Sequence, residues 1–106
     1  MVEPRNVYKL IPEDLSEEVT ERLVQSNNVK IERIISMGHT SPDAGWYDQE
    51  QNEWVLVLKG TASIAFENEA VANLEEGDYI HIPAHQKHRV IGTSSVTETI
   101  WLAIFY

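Results

Sequence analysis

The chain has 106 residues, 42% hydrophobic and 24% charged, and its 17 acidic and 8 basic residues give a formal net charge of −9. This length supports one domain with one hydrophobic core. The few lysines and arginines are scattered, which argues against nucleic acid as a partner because binding to phosphates requires a positive patch.

The composition also argues against membrane proteins and disulfide-bonded proteins. No run of about 18 apolar residues could cross a membrane, and no signal-peptide pattern precedes Pro4. The chain has no cysteine, which excludes disulfides and thiolate chemistry and fits a reducing compartment. We therefore expect a cytoplasmic protein without a membrane partner.

The N-terminal segment, residues 1–28, is predicted to form one α-helix. Three apolar residues recur at every fourth position, the spacing of a stripe on one helix face: Leu15, Val19 and Leu23. Asp14 followed by Glu17 resembles a capping box, and the polar run from Ser26 to Asn28 ends the pattern. We expect this helix to pack on the outside of residues 29–106, so that the chain forms one domain overall.

Residues 29–106 are predicted to be all β. Val29, Ile31 and Ile35 alternate with polar residues, which is typical of a half-buried strand. Further short runs of strand-forming residues follow, separated by turn residues: 54–58, 62–66, 71–74, 79–82, 88–91 and 98–105. About seven or eight short strands without intervening helices favour a β-sandwich or a small barrel.

Glu53 and His88 are the first candidates for a functional site. Glu53 begins an apolar strand and shares a face with Val55 and Val57, and a carboxylate on an interior face costs several kcal/mol unless it is paired or bound to a metal. The alternative is a solvent-exposed carboxylate at the strand end. His88 and His85 follow Pro83, and a histidine that begins a strand can point inward as a metal ligand or lie at the surface.

Two segments, Glu53 to Gly60 and Gly77 through Pro83 to His88, resemble the two sequence motifs of the cupin family. The likeness covers residues 29–105, and the segments from Trp46 to Gln49 and from Ile82 to Val90 resemble a group of short bacterial cupins of mostly unassigned function. The family resemblance implies a jelly-roll β-barrel in which Glu53 and His88 hold a divalent metal ion. His85 occupies the place of a family glycine, where an unusual backbone angle is expected, which histidine tolerates better than a β-branched residue does.

The family has two further histidine ligands, which precede the motif glutamate in an HxH pattern. If three residues intervene before Glu53, the matching positions are Tyr47 and Gln49; if four intervene, they are Trp46 and Asp48. None of these is histidine, but the amide oxygen of Gln49 and the carboxylate of Asp48 can both coordinate a hard cation. The candidate metal ligands are therefore Glu53, His88, Gln49 and Asp48, and zinc, nickel, manganese or iron could be the metal.

The resemblance implies a pocket that binds a divalent metal ion and a small molecule. In an enzyme, Tyr47 or His85 could transfer a proton, but the reaction stays open because cupins include dioxygenases, isomerases and lyases. Two alternatives remain: a non-catalytic binding or sensing module, and a metal-free barrel in which Glu53 and His88 pair with each other. We also expect a homodimer, because cupins commonly pair through sheet edges and the segment from Trp101 to Tyr106 is unusually apolar.

Overall fold

The computed structural model describes residues 2–106 and forms eight β-strands, with no helix among these residues. The strands are β1 Val19–Gln25, β2 Lys30–Ser36, β3 Glu53–Lys59, β4 Ala62–Phe66, β5 Val71–Leu74, β6 Tyr79–Ile82, β7 His88–Thr93 and β8 Thr99–Phe105. The strands expected after residue 29 are all present. None of the described elements is a helix long and apolar enough to cross a membrane.

The strands form two antiparallel sheets. The larger sheet has five strands in the order β1-β2-β8-β3-β6, and the smaller has three in the order β5-β4-β7. The predicted closed barrel is wrong in this respect: no strand of one sheet joins the ladder of the other among residues 2–106, so the sheets form a sandwich. The cavity described below lies between their facing surfaces.

The core between the sheets is built from alternating residues. In β3, Val55 and Val57 point inward and are at most 1% exposed, while Trp54 and Leu56 on the outer face are half-buried. Nine buried residues from both sheets form the main cluster: Val55, Val57, Ala62, Ile64, Leu74, Ile82, Trp101, Ala103 and Phe105. The strand β3 is therefore fully buried on its inner face and partly buried on its outer face.

The predicted N-terminal helix is wrong. Val19–Gln25 is a strand that pairs antiparallel with β2, with Val19 opposite Ile35 and Gln25 opposite Lys30. The polar run after it makes the hairpin turn, in which the Ser26 amide donates to the Val29 carbonyl at 2.8 Å. Asp14 accepts a hydrogen bond from the Ser16 amide at 3.0 Å, a local turn and not a helix cap. Pairing with β2 satisfies the backbone groups of β1 that face β2, and the β-branched Val19 and Thr20 favour a strand over a helix.

Arg33 attaches the segment before β1 to the outer face of the larger sheet. Its side chain is 6% exposed, and its Nε and Nη2 donate to Glu21. The other donors reach backbone carbonyls of the N-terminal segment: Val7 at 3.2 Å, Lys9 at 2.6 Å and Leu10 at 3.3 Å. All five guanidinium N–H groups thus have acceptors.

The turn between β3 and β4 requires glycine at position 60. Gly60 has a φ of 85°, and a Cβ there would lie 2.6 Å from Thr99 Oγ1 and 2.8 Å from the Glu98 carbonyl oxygen. The close approach brings the end of β3 against the start of β8. The first motif therefore ends in glycine because the next turn packs directly on another strand.

Candidate functional site

His88 begins β7 on the inner face of the smaller sheet and is 5% exposed. It pairs with Phe66 of β4, and on its other side Tyr47 forms an isolated β-bridge to it. The Nδ1 atom lies 2.8 Å from the carbonyl oxygen of Gln86. Since a carbonyl can only accept, Nδ1 carries a hydrogen, and Nε2 is the ring nitrogen that can meet a metal ion or a carboxylate.

Glu53 begins β3 on the inner face of the larger sheet, opposite His88. Its side chain is 13% exposed, and its Oε1 lies 3.3 Å from His88 Nε2. The Gln49 amide donates to the same oxygen at 3.2 Å. The carboxylate is therefore inside the protein and paired, as an interior-face glutamate requires, and not at a solvent-exposed strand end.

The pairing changes the pKa of His88. Burial disfavours the charged imidazolium, but the hydrogen bond to Glu53, the Gln86 carbonyl and the Glu53 charge together outweigh burial and raise the pKa of His88 above its usual value. The site in the metal-free protein therefore favours an imidazolium-carboxylate ion pair.

The segment before β3 contributes Gln49 and Tyr47, while Asp48 faces away from the cavity. Asp48 Oδ1 lies 2.7 Å from His85 Nδ1, and these two side chains are 43% and 65% exposed. His85 has a φ of 65°, a left-handed backbone conformation, and its amide donates to the Gln49 carbonyl at 2.8 Å. The structure thus brings Glu53, His88, Gln49 and Tyr47 together, and leaves Asp48 and His85 as a separate exposed pair.

A cavity of about 220 Å³ lies in front of these residues. Its lining combines apolar core residues with a few polar ones: Glu18, Ile34, Thr40, Ser41, Tyr47, Gln49, Glu53, Val55, Ile64, Ile82, His88, Val90, Trp101 and Phe105. Apolar walls with a small number of converging polar groups are typical of a small-molecule site.

Sequence reasoning missed several residues of this cavity. They are Glu18, which lies in the segment predicted to be a helix, Trp101 of β8, and Thr40 and Ser41 of the loop after β2. The β-branched Val19 and Thr20 after Glu18 could have indicated a strand, but the fourfold spacing of apolar residues favoured the helix. Trp46 lies under the Arg89 guanidinium at 4.7 Å and does not line the cavity.

The sequence profile of the cupin domain matches residues 35–105, about two thirds of the chain. The chain belongs to the cupin family. This membership confirms the resemblance expected from Glu53 to Gly60 and from Gly77 to His88, and it agrees with the fold. No curated protein matches this cupin.

Solved structures resemble the chain over most of its length. A Ralstonia eutropha protein that was proposed to be a mannose-6-phosphate isomerase is 39% identical, with a TM-score of 0.93, covering 98% of this chain and 97% of that one. A cupin superfamily protein from Desulfitobacterium hafniense is 22% identical, with a TM-score of 0.80 and coverages of 99% and 91%. The iron(II) form of HppE with its substrate is 18% identical, with a TM-score of 0.70, covering 83% of this chain and 53% of that one. The last two likenesses concern the fold alone.

Proposed function

We propose that this cupin binds a small molecule in its cavity, together with a weakly held divalent metal ion at Glu53, His88 and Gln49. The observation that carries the proposal is the position of Glu53 Oε1 and His88 Nε2, 3.3 Å apart at the wall of the cavity. When bound, the ion supplies a Lewis acid that polarises a ligand oxygen. The chain's own residues orient that ligand between apolar walls, and Tyr47, which lines the cavity, can donate or accept a proton.

The donor set fits a weak metal site. Within residues 2–106 no three His, Cys, Asp or Glu side chains converge, so the third protein ligand has to be the neutral Gln49 amide. Its oxygen becomes available if the amide turns over from its present bond to Glu53. One imidazole with two oxygen ligands suits manganese or iron(II) better than a three-histidine site would, and holds zinc or nickel less tightly.

The alternative is a metal-free pocket in which Glu53 and His88 simply pair. The 3.3 Å distance between Glu53 Oε1 and His88 Nε2 favours this alternative, because each group can neutralise the other without a metal ion. The raised pKa of His88 agrees with it, since the pairing with Glu53 stabilises the charged imidazolium. Gln49 distinguishes the two alternatives. In the metal-free pocket its amide only donates a hydrogen bond to Glu53, whereas the metal site needs its oxygen as the third protein ligand.

Metal titration of protein purified without a histidine tag separates the two readings. We expect zinc, nickel, manganese or iron(II) to bind once per chain and to raise the melting temperature according to affinity and concentration. Glu53→Gln and His88→Gln should each abolish this gain, whereas His85→Ala, outside the cavity, should leave affinity within a few-fold. Binding that survives both substitutions would place the metal elsewhere. The absence of binding for all four metals would leave the metal-free pocket.

The activity proposed for the Ralstonia protein is not carried over to this chain. That activity would act on a phosphorylated sugar, and a phosphate usually needs cationic side chains or clustered backbone amides. Among the cavity-lining residues none is lysine or arginine, while two are glutamates. We therefore propose a ligand without phosphate, and a reaction, if any, other than phosphosugar isomerisation.

Assembly as a homodimer also stays a prediction, although its original reason does not apply. The C-terminal strand β8 lies between β2 and β3 and is not an unpaired edge. The two edge strands of the larger sheet instead carry exposed apolar side chains, with Val24 51% and Tyr79 63% exposed. Light scattering should give twice the chain mass of 12.1 kDa. Val24→Lys should lower the measured mass, whereas Val96→Lys, on an exposed loop, should leave it unchanged.

A cytoplasmic location likewise stays a prediction.

A further inference from the structure

The cavity has a second polar end that the metal hypothesis does not use. Glu18, just before β1, lines the cavity, and its Oε2 accepts a hydrogen bond from Ser36 Oγ at 2.8 Å. Glu53 pairs with Phe105 in the sheet register, whereas Ser36 pairs with Thr99 at the other end of β8. Glu18 and Glu53 therefore act at different ends of the same sheet.

The hydrogen bonds behind Glu18 have only one consistent direction. Trp101 Nε1 donates to Ser36 Oγ at 3.1 Å, and both residues are buried, at 4% and 0% exposed. Because the indole nitrogen can only donate, the Ser36 hydroxyl hydrogen remains free to bind Glu18. Glu18 is thus held as an acceptor, with its second oxygen free of hydrogen bonds to other described residues.

A second attachment holds the segment that carries Glu18. His39 Nδ1 accepts from the Met37 amide at 2.9 Å, so its Nε2 carries the hydrogen and donates to the Ser16 carbonyl at 3.1 Å. This contact joins the loop after β2 to the chain two residues before Glu18. The carboxylate is therefore positioned from both sides, although the residue itself is exposed to solvent at the cavity rim.

The charges of the lining favour a cation at this end. Glu18 and Glu53 are the cavity carboxylates, His88 is paired with Glu53, and no lysine or arginine contributes to the lining. Glu18 therefore has no cationic side chain of the lining to neutralise it. An apolar wall containing Trp101 beside a carboxylate suits an ammonium group, through a charge-assisted hydrogen bond and contact with the ring.

We propose that Glu18 is a specificity-determining residue that binds the ammonium group of a small amino-alcohol ligand whose oxygen faces Glu53 and His88. The assignment of the oxygen end rests on the proposed function; the ammonium end rests on Glu18, Ser36 and Trp101 alone. A cavity of about 220 Å³ has room for about seven water-sized groups at roughly 30 Å³ each, which suits such a short ligand.

The test uses the indole signal of Trp101 as a local reporter. Only three tryptophans are present, so the Trp101 Nε1–H cross-peak in a nitrogen-proton correlation spectrum can be assigned with Trp101→Phe. The probes are linear amino alcohols, the matching diols and the matching hydroxyalkyl phosphates, with about three to six methylene groups to span a small cavity. Each is titrated into the full chain, first in EDTA and then with zinc.

We expect the amino alcohols to shift the Trp101 signal and to bind more tightly than the diols, with no saturable effect of the phosphates. Glu18→Gln keeps an acceptor for Ser36 and should weaken amine binding on the order of tenfold, the effect of losing a charged hydrogen-bond partner. Glu17→Gln removes the same charge from an exposed neighbouring position and should leave binding unchanged.

The outcomes separate this proposal from the metal hypothesis. Amine binding in EDTA that depends on Glu18 supports the ammonium proposal even if no metal binds. Zinc binding that is lost only in Glu53→Gln and His88→Gln supports the metal hypothesis separately. No amine binding with or without zinc, phosphates that bind as well as amines, or a Glu18→Gln variant that binds amines like the parent would each overturn it.

Discussion

Two ionisable side chains are buried on opposite faces of the larger sheet, and they differ in how completely their hydrogen-bonding groups are used. On the outer face, Arg33 has an acceptor for each of its five N–H groups. On the inner face, Glu53 uses one carboxylate oxygen for both Gln49 and His88, and within residues 2–106 its other oxygen accepts no hydrogen bond. A saturated buried charge stabilises the fold, whereas an unsaturated one beside a cavity is available to a ligand.

The largest effect is expected from removing the saturated charge. Arg33→Met would leave three backbone carbonyls and Glu21 without their donor, and the free energy of unfolding should fall by about 3 kcal/mol. Urea denaturation measures the loss, and Arg33→Lys should recover part of it because one ammonium cannot reach all the acceptors. A variant within about 0.5 kcal/mol of the parent would show that Arg33 is not saturated in solution.

Adding a metal-ligating side chain beside Glu53 should strengthen metal binding at this unsaturated site. Gln49→His supplies an imidazole on the cavity side, and we expect it to tighten zinc binding roughly tenfold or more, about 1.4 kcal/mol. Asp48→His is the matched control, because position 48 faces away from the cavity. Isothermal titration of both variants checks this, and a gain in Asp48→His alone would mean that the segment has the other register.

The inner ion pair also predicts a dependence on pH in protein kept free of metal. The folded pKa of His88 is raised, so its contribution to stability is complete below the unfolded pKa of about 6.5 and is lost as pH rises through the folded value. Stability measured relative to Glu53→Gln should therefore fall as pH rises above about 6.5. A parallel pH dependence in parent and variant would contradict the pairing.

The smallest effect concerns the exposed pair outside the cavity. His85 adopts a φ of 65°, so His85→Gly should relieve the left-handed backbone and change stability by only about 0.5–1 kcal/mol, in the stabilising direction. His85→Ala keeps the strain and serves as the control. Thermal unfolding compares the two, and a large destabilisation by glycine would show that the contact with Asp48 matters more than the backbone.

The sequence was sufficient for the seven strands after residue 29 and for the central pair of the candidate site. Period-two alternation and glycine turns fixed strand positions because half-buried strands need that pattern, and the motif spacing identified Glu53 and His88. The HxH comparison left Gln49 and Asp48 open, since a shift of one residue reverses the face on which a strand side chain lies. In the folded protein, the pairing of Tyr47 with His88 and the bond from Gln49 to Glu53 show which parity faces inward.

The N-terminal segment could not be predicted in the same way. Leu15, Val19 and Leu23 have helical spacing, but the hydrogen-bond partners of this segment are in β2 and around Arg33, which local periodicity cannot reveal. Glu18 was missed as a cavity residue for the same reason. Its role depends on Ser36 and Trp101, which are distant in sequence and become neighbours only in the folded sheet.

The position of β8 has a consequence for how the chain folds. The strand that comes last in the chain, Thr99–Phe105, lies between β2 and β3 and is hydrogen-bonded to both. A nascent chain that has not released these residues from the ribosome holds two apolar strands without their shared partner. The larger sheet therefore cannot form completely until Thr99–Phe105 has left the ribosome, and closing such distant pairings makes folding slow relative to helical domains of similar size.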